Sequence, residues 1–278
     1  MFKLIAIATT LLIICFLVVV IFRPSFFEKR QLQIEGGNIA YKVAGEGEAV
    51  VLLHGFASMD YLWELTGLFG RLADDYRVVS YDARGHGDSL KPDNSDGYGM
   101  YMVSDLVALL DQLGIEKAYF VGHSMGGLTA LKFASMYPER ALGVVSLGIG
   151  WLPDGPFAKQ LFGSPYKVAY TNALKASFPA LIELLVTDEE IEALRVPYTA
   201  IIGTEDRNYE STIIPLREVR PDITIIEVEG RGHTNLLWWS GLTDAIESAI
   251  NAENNHNNQS DQPSASPPPA YLQSAKKH

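Results

Sequence analysis

The chain has 278 residues, 47% of them hydrophobic and 20% charged, a globular composition long enough for one large domain with a full core. A net charge of −11, with no basic stripe, argues against nucleic acid as a partner. The single cysteine, Cys15, excludes a disulfide framework, a cysteine-based metal site and a thiol nucleophile.

Leu4 to Phe22 is almost wholly apolar and carries no charge, about the length that spans a bilayer. Lys3 precedes it, and Arg23, Lys29 and Arg30 follow. Cleaved signal peptides have a shorter apolar region that ends in small residues, whereas this one ends Val-Val-Val-Ile-Phe-Arg-Pro. Residues 1–24 are therefore expected to be an uncleaved, single-pass transmembrane anchor, with secretion the outcome if the segment is cut. The flanking charges differ too little to assign the side of the membrane.

Gln31–Ile34 and Asn38–Val43 flank Gly36-Gly37 and predict an antiparallel hairpin. Ala49–Leu53 is a short apolar strand running into His54-Gly55-Phe56. A helix is expected from about Tyr61 to Leu72, then a strand from Tyr76 to Tyr81 leading into Asp82–Ser89. Val103, Leu106, Val107, Leu110 and Leu113 fall at helical spacing. Ala118–Val121 is a buried strand entering Gly122-His123-Ser124-Met125-Gly126, and the apolar helical pattern behind it ends near Tyr137-Pro138. Leu142–Leu147, Tyr198–Ile202 and Ile223–Val228 complete the strands, and a helix from about Leu236 to Ile250 closes the domain. Strands without polar alternation, alternating with helices, predict an α/β fold with a mostly parallel sheet covered on both faces.

The rhythm breaks from about residue 151 to 196, where prolines, glycines and aromatics crowd the first half. Its position after a strand predicts a short lid insertion over a pocket. After Asn251 the composition turns polar, with the runs Asn254–Gln259 and Pro267–Pro269, and residues 251–278 are expected to be a disordered tail, which removes His256 and His278 as site candidates.

Gly122-x-Ser124-x-Gly126 between strand and helix suits a sharp turn that lifts a serine hydroxyl clear of a sheet. Acyl transfer by such a serine needs a base, an acid that holds the base, and donors for an oxyanion. His233, in the glycine-rich loop after the last strand, is the expected base. Asp206, directly after the preceding strand, is the expected acid; Glu205 is its neighbouring rival and Asp154 a more distant one. The backbone N–H groups of Phe56 and Met125 are the expected oxyanion donors. His54 and His123 are read as packing and hydrogen-bonding near the site. Asp82–Ser89 is read as a tight turn pinned by Arg84 and Asp88, outside the chemistry. Trp63, Trp151, Trp238 and Trp239 are candidate pocket walls. No metal or cofactor motif occurs, and no cofactor is expected.

These motifs together resemble the α/β-hydrolase superfamily, in its esterase-like branch, over about residues 31–250. His54-Gly55-Phe56, Asp82-x-Arg84-Gly85-His86-Gly87-x-Ser89, Gly122 to Gly127, Gly203-x-x-Asp206 and Gly232-His233 match in order. The resemblance implies nucleophile Ser124, acid Asp206 and base His233 but does not specify the substrate; the expected reaction is hydrolysis of an ester, and the tryptophans hint that it is small or apolar. C–C bond hydrolysis, perhydrolysis and acyl transfer use the same triad, and a ligand-binding receptor on this fold is the reading outside enzymes. Haloalkane dehalogenases and epoxide hydrolases share the fold but carry Asp at the elbow, so Ser124 disfavours both. The insertion looks short for the family's helical cap, which implies a more open pocket.

Overall fold

The computed structural model describes residues 25–164 and 169–260, with the side chains of 253–260 excepted. The predicted anchor, residues 1–24, lies outside the described residues. Among the described residues no helix is long and apolar enough to cross a membrane.

Eight strands form one sheet: β1 (Arg30–Ile34), β2 (Gly37–Ala44), β3 (Ala49–Leu53), β4 (Arg77–Tyr81), β5 (Ala118–His123), β6 (Ala141–Leu147), β7 (Tyr198–Gly203) and β8 (Thr224–Val228). Their order is β1-β2-β4-β3-β5-β6-β7-β8. β1 and β2 pair antiparallel, β2 meets β4 antiparallel, and every later pairing is parallel. Leu53 stands beside both Tyr81 and Gly122, so the loops that follow β3, β4 and β5 all leave from one end of the sheet. That end collects chemistry in open α/β sheets.

The helices are α1 (Tyr61–Leu65), α2 (Leu68–Leu72), α3 (Tyr101–Gln112), α4 (Met125–Met136), α5 (Pro156–Gly163), α6 (Asn172–Ala180), α7 (Asp188–Ala193), α8 (Tyr209–Val219) and α9 (Leu242–Ser260). The single helix expected over 61–72 is two short ones, because Gly67 turns left-handed at φ 76° between them. α8 was not expected: Pro215 and the β-branched run Thr212-Ile213-Ile214 hide its helical period. The closing helix starts at Leu242 after a 3₁₀ turn at Asn235–Trp238, and it runs past the expected end at Ile250 to Ser260. Residues 261–278 of the expected tail lie outside the described residues.

Two apolar layers cover the sheet. One joins Val51, Phe120 and Val144 to α3 and α4 through Leu106, Leu110 and Phe133. The other joins Val50, Val121 and Ile201 to Trp63, Phe69 and Ile246. The insertion between β6 and β7 is helical, carrying α5, α6, a 3₁₀ turn at Leu181–Leu184 and α7. Trp151, at its start, donates its indole N–H to the Val186 carbonyl at 2.7 Å, which draws the two arms of the insertion together.

Buried charge holds the loops at the site end. Lys42 is 1% exposed and lies 3.0 Å from an Asp60 carboxylate oxygen, with Glu64 on its other side. Lys29 pairs with Asp82 at 2.9 Å and Asp60 at 3.2 Å, while Asp82 accepts the Asp60 N–H at 2.8 Å. The loops after β3 and β4 are thus locked to each other.

Candidate active site

β5 ends at His123, and Ser124 stands between it and α4 with φ 51° and ψ −113°, a conformation that side chains other than glycine rarely take. The turn survives because the chain around it cannot relax. Ser124 N–H donates to the Leu147 carbonyl at 3.0 Å. The flanking glycines are a matter of space: a Cβ on Gly122 would fall 2.3 Å from the Gly126 carbonyl oxygen, and one on Gly126 would fall 2.1 Å from that of Leu53. Strand, turn and helix can pass this closely only without side chains at those two positions.

His233, in the loop after β8, reaches across the sheet end. Its Nε2 lies 2.9 Å from Ser124 Oγ. Its Nδ1 lies 3.0 and 3.2 Å from the two carboxylate oxygens of Asp206. An ionised carboxylate only accepts, so Nδ1 carries the proton and Nε2 is left to accept from the serine hydroxyl. The Asp206 side chain is fully buried and also accepts the Asn208 N–H at 2.9 Å. Ser124, Asp206 and His233 therefore meet in one line of hydrogen bonds. Glu205, the rival acid, is exposed, and Asp154 sits near Lys159 with a half-exposed side chain.

Of two positioning contacts, that of Asn208 was not legible in the sequence, and that of His123 fits the expectation that it hydrogen-bonds near the site. Asn208 Nδ2 donates to the Gly148 carbonyl at 3.1 Å and lies 3.2 Å from His233 Nδ1, so it braces the loop after β7 against the end of β6. His123 donates Nε2–H to the His233 carbonyl at 2.9 Å, tying the His233 backbone to the residue that precedes Ser124. Burial and the nearby His233 ring push the His123 imidazole down to about 4, so it is neutral at pH 7. His54 behaves as expected. It accepts the Ala83 N–H at 3.0 Å on Nε2, and its Nδ1 lies 2.8 Å from the Gly55 carbonyl. Among Asp82–Ser89, Arg84 holds Asp105 through two buried bonds of 2.7 and 2.6 Å and does not reach the triad. The pin of that turn is Asp82, which accepts the Asp88 N–H at 2.9 Å.

A cavity of 230 Å³ opens over Ser124. Phe56 and Met125 lie on its wall beside the serine, and Leu152, Phe157, Leu161 and Phe178 from the insertion supply much of the rest. Phe56 and Phe178 stack edge to face at 5.2 Å. Arg207, Asn208, Ser211 and Thr212 make the polar side. None of the four tryptophans lines this cavity. Trp63 is buried under the opposite face of the sheet, Trp151 is spent on holding the insertion, and Trp238 is 53% exposed. Among the described residues no group of acidic, histidine or cysteine side chains is arranged to hold a metal ion.

Residues 48–180 match the protein family described as alpha/beta hydrolase fold. Epoxide hydrolase 2 of Siraitia grosvenorii is 36% identical over 137 residues, 49% of this chain and 43% of that protein. The match thus spans less than half the length of that relative. Among solved structures, a thermophilic esterase from Thermogutta terrifontis superposes with TM-score 0.68 at 21% identity, covering 81% of this chain and 99% of that one. A bacterial membrane phospholipase A superposes with TM-score 0.64 at 20% identity, covering 91% of this chain and 99% of that one. At these identities the two structures share the fold.

Proposed function

We propose that this chain, which belongs to the α/β-hydrolase superfamily, is a serine hydrolase that cleaves carboxylic esters of apolar acids through an acyl-enzyme. The observation that carries this reading is the 2.9 Å contact between His233 Nε2 and the hydroxyl of Ser124, at the floor of an apolar cavity. Ser124 Oγ attacks the ester carbonyl as its proton passes to His233 Nε2. Asp206, bonded to Nδ1, stabilises the imidazolium that forms. The carbonyl oxygen becomes an oxyanion held by the N–H groups of Phe56 and Met125, the latter at the positive end of α4. Each such donor contributes about 3–4 kcal/mol to the transition state in comparable sites. His233 then gives its proton to the leaving alkoxide, and the alcohol departs. Water enters, loses a proton to His233 and attacks the acyl-enzyme, which releases the acid and restores Ser124.

The epoxide hydrolase relatives favour a second reading, in which His233 activates water against an epoxide. Covalent epoxide opening that passes through an ester intermediate needs a carboxylate nucleophile, and the elbow here offers a hydroxyl. Residues 1–24 are proposed to anchor the enzyme in a membrane. The uncharged run from Leu4 to Phe22 supports this. Extraction of the full chain from membranes by alkaline carbonate would remove the anchor from the proposal.

The deciding assay presents the full chain, in detergent, with p-nitrophenyl acetate, butyrate and longer esters, and separately with an aryl epoxide. Ester turnover that disappears in Ser124→Ala is the expected result. Epoxide opening without ester turnover would replace it by the second reading.

A further inference from the structure

The Asp82–Ser89 turn stands outside the triad, yet one of its side chains reaches the loop proposed to bind the oxyanion. Gly55 to Ser58 form a turn closed by the Ser58 N–H donating to the Gly55 carbonyl at 3.2 Å. Ala57, at the third position, has φ 58°, where turns normally place glycine. Apart from Ser124 it is the other non-glycine residue with positive φ among the described residues. The Ala57 N–H donates to His86 Nε2 at 3.1 Å. His86 is 3% exposed, and its Nδ1 lies 3.1 Å from the Arg84 carbonyl, which sets the tautomer with the proton on Nδ1 and the acceptor on Nε2. Burial and the adjacent His54 push its imidazole down to about 3, so the acceptor is present at neutral pH. The ring also packs against Phe56 at 5.6 Å and His54 at 5.1 Å, both edge to face.

From this geometry we infer that His86 is a positioning residue for the oxyanion loop: its Nε2 holds the Phe56–Ala57 peptide in a strained turn and so aims the Phe56 N–H at the space above Ser124. The inference rests on the serine-hydrolase reading for its consequence, though the bond itself does not. His54 repeats the device one step earlier, between the Gly55 carbonyl and the Ala83 N–H. The two neutral rings thus join the loop after β3 to the loop after β4 where no sheet hydrogen bond reaches. A left-handed alanine relaxes unless its surroundings over-determine it, and His86 is the side chain that bonds its N–H.

The test compares wild type with His86→Phe, which keeps the ring and loses the acceptor, and with His86→Gln, whose side-chain oxygen can accept the same N–H. Expected for His86→Phe is a kcat lower by about tenfold to a hundredfold, less than the loss of a whole oxyanion donor, with KM changed less than about threefold because ground-state binding is spared. Inhibition by butylboronic acid, whose tetrahedral adduct places an oxygen where the oxyanion forms, should weaken by the same factor. His86→Gln should recover most of both. Wild-type kcat and boronic acid inhibition in a folded His86→Phe would overturn the inference, as would a His86→Gln no better than His86→Phe. Amide exchange at Ala57 in the wild type reads the bond without any variant: protection supports it, and exchange at the rate of an open turn overturns it. A wild type that turns over no ester would sink the serine-hydrolase reading instead, leaving the exchange result to judge His86.

Discussion

The turn around Ser124 and the insertion between β6 and β7 build opposite sides of one cavity by different physics. At the turn, backbone meets backbone: a Cβ on Gly122 or Gly126 would collide with carbonyl groups. Ser124 is held off the usual dihedrals, and its hydroxyl lies 2.9 Å from His233 Nε2. In the insertion, side chains meet side chains. Phe162 and Phe178 lie 5.4 Å apart, Phe178 touches Phe56, and the outer residues Phe157 and Leu161 are 55% and 36% exposed. A backbone collision tolerates no substitution, whereas an apolar wall accepts any side chain of about the right volume. On the proposed reading, chemistry is concentrated at the turn, and substrate choice at the insertion.

That contrast is broken or sharpened by a graded series of measurements. Ser124→Ala should lower kcat by about 10⁶, as loss of the nucleophile does in a comparable triad, while the melting temperature changes little because the backbone of the turn is kept. A variant that keeps ester turnover would mean that the turn is not where the chemistry happens. Asp206→Asn should cost about 10⁴ in kcat with KM little changed, because an amide favours the wrong tautomer of His233. An equal loss from Glu205→Gln would shift the acid to its exposed neighbour.

Acid should separate the two regions by stability. Burial holds His54, His86 and His123 below the ordinary histidine value, to about 3 for His86 and about 4 for His123. The folded state then binds fewer protons than the unfolded chain, so the stabilisation is complete above about pH 6.5 and is lost as pH falls toward 4. Each such histidine contributes a slope of up to about 1.4 kcal/mol per pH unit in that window. Denaturant unfolding between pH 7 and 4.5 should therefore show a shallower fall in His86→Phe than in wild type; parallel curves would mean that His86 titrates normally. The smallest effect belongs to the insertion. Leu161→Ala should raise KM for a butyrate or longer ester about threefold to tenfold, at about 0.8 kcal/mol per methylene no longer covered, and leave acetate turnover within twofold. A drop in kcat for acetate would show that the insertion shapes the chemistry as well.

The local motifs were legible because their causes are local. Two glycines around a serine after an apolar strand specify a tight strand-to-helix turn whatever surrounds them, and Ser124 is where that reasoning placed it. His233 and Asp206 were readable from loops that follow strands, since parallel strands send those loops to one end of the sheet. Helix α8 was not readable, because Pro215 and its β-branched neighbours mask a period that tertiary packing restores through Ile213 and Leu216. Asp206 and Glu205 are adjacent carboxylates in one loop, and only the packing of that loop buries one and exposes the other. The same holds for His123, Asn208 and His86, whose partners lie 110, 60 and 29 residues away in sequence. A hydrogen bond across such a distance depends on where the sheet brings two loops, and no pattern along the chain records it. Local pattern along the chain was enough for the fold class, the tight turn, Ser124 and the loop that carries His233. Packing of distant loops sets which carboxylate faces His233, which histidines are kept neutral as struts, and which aromatics wall the cavity while the tryptophans lie elsewhere.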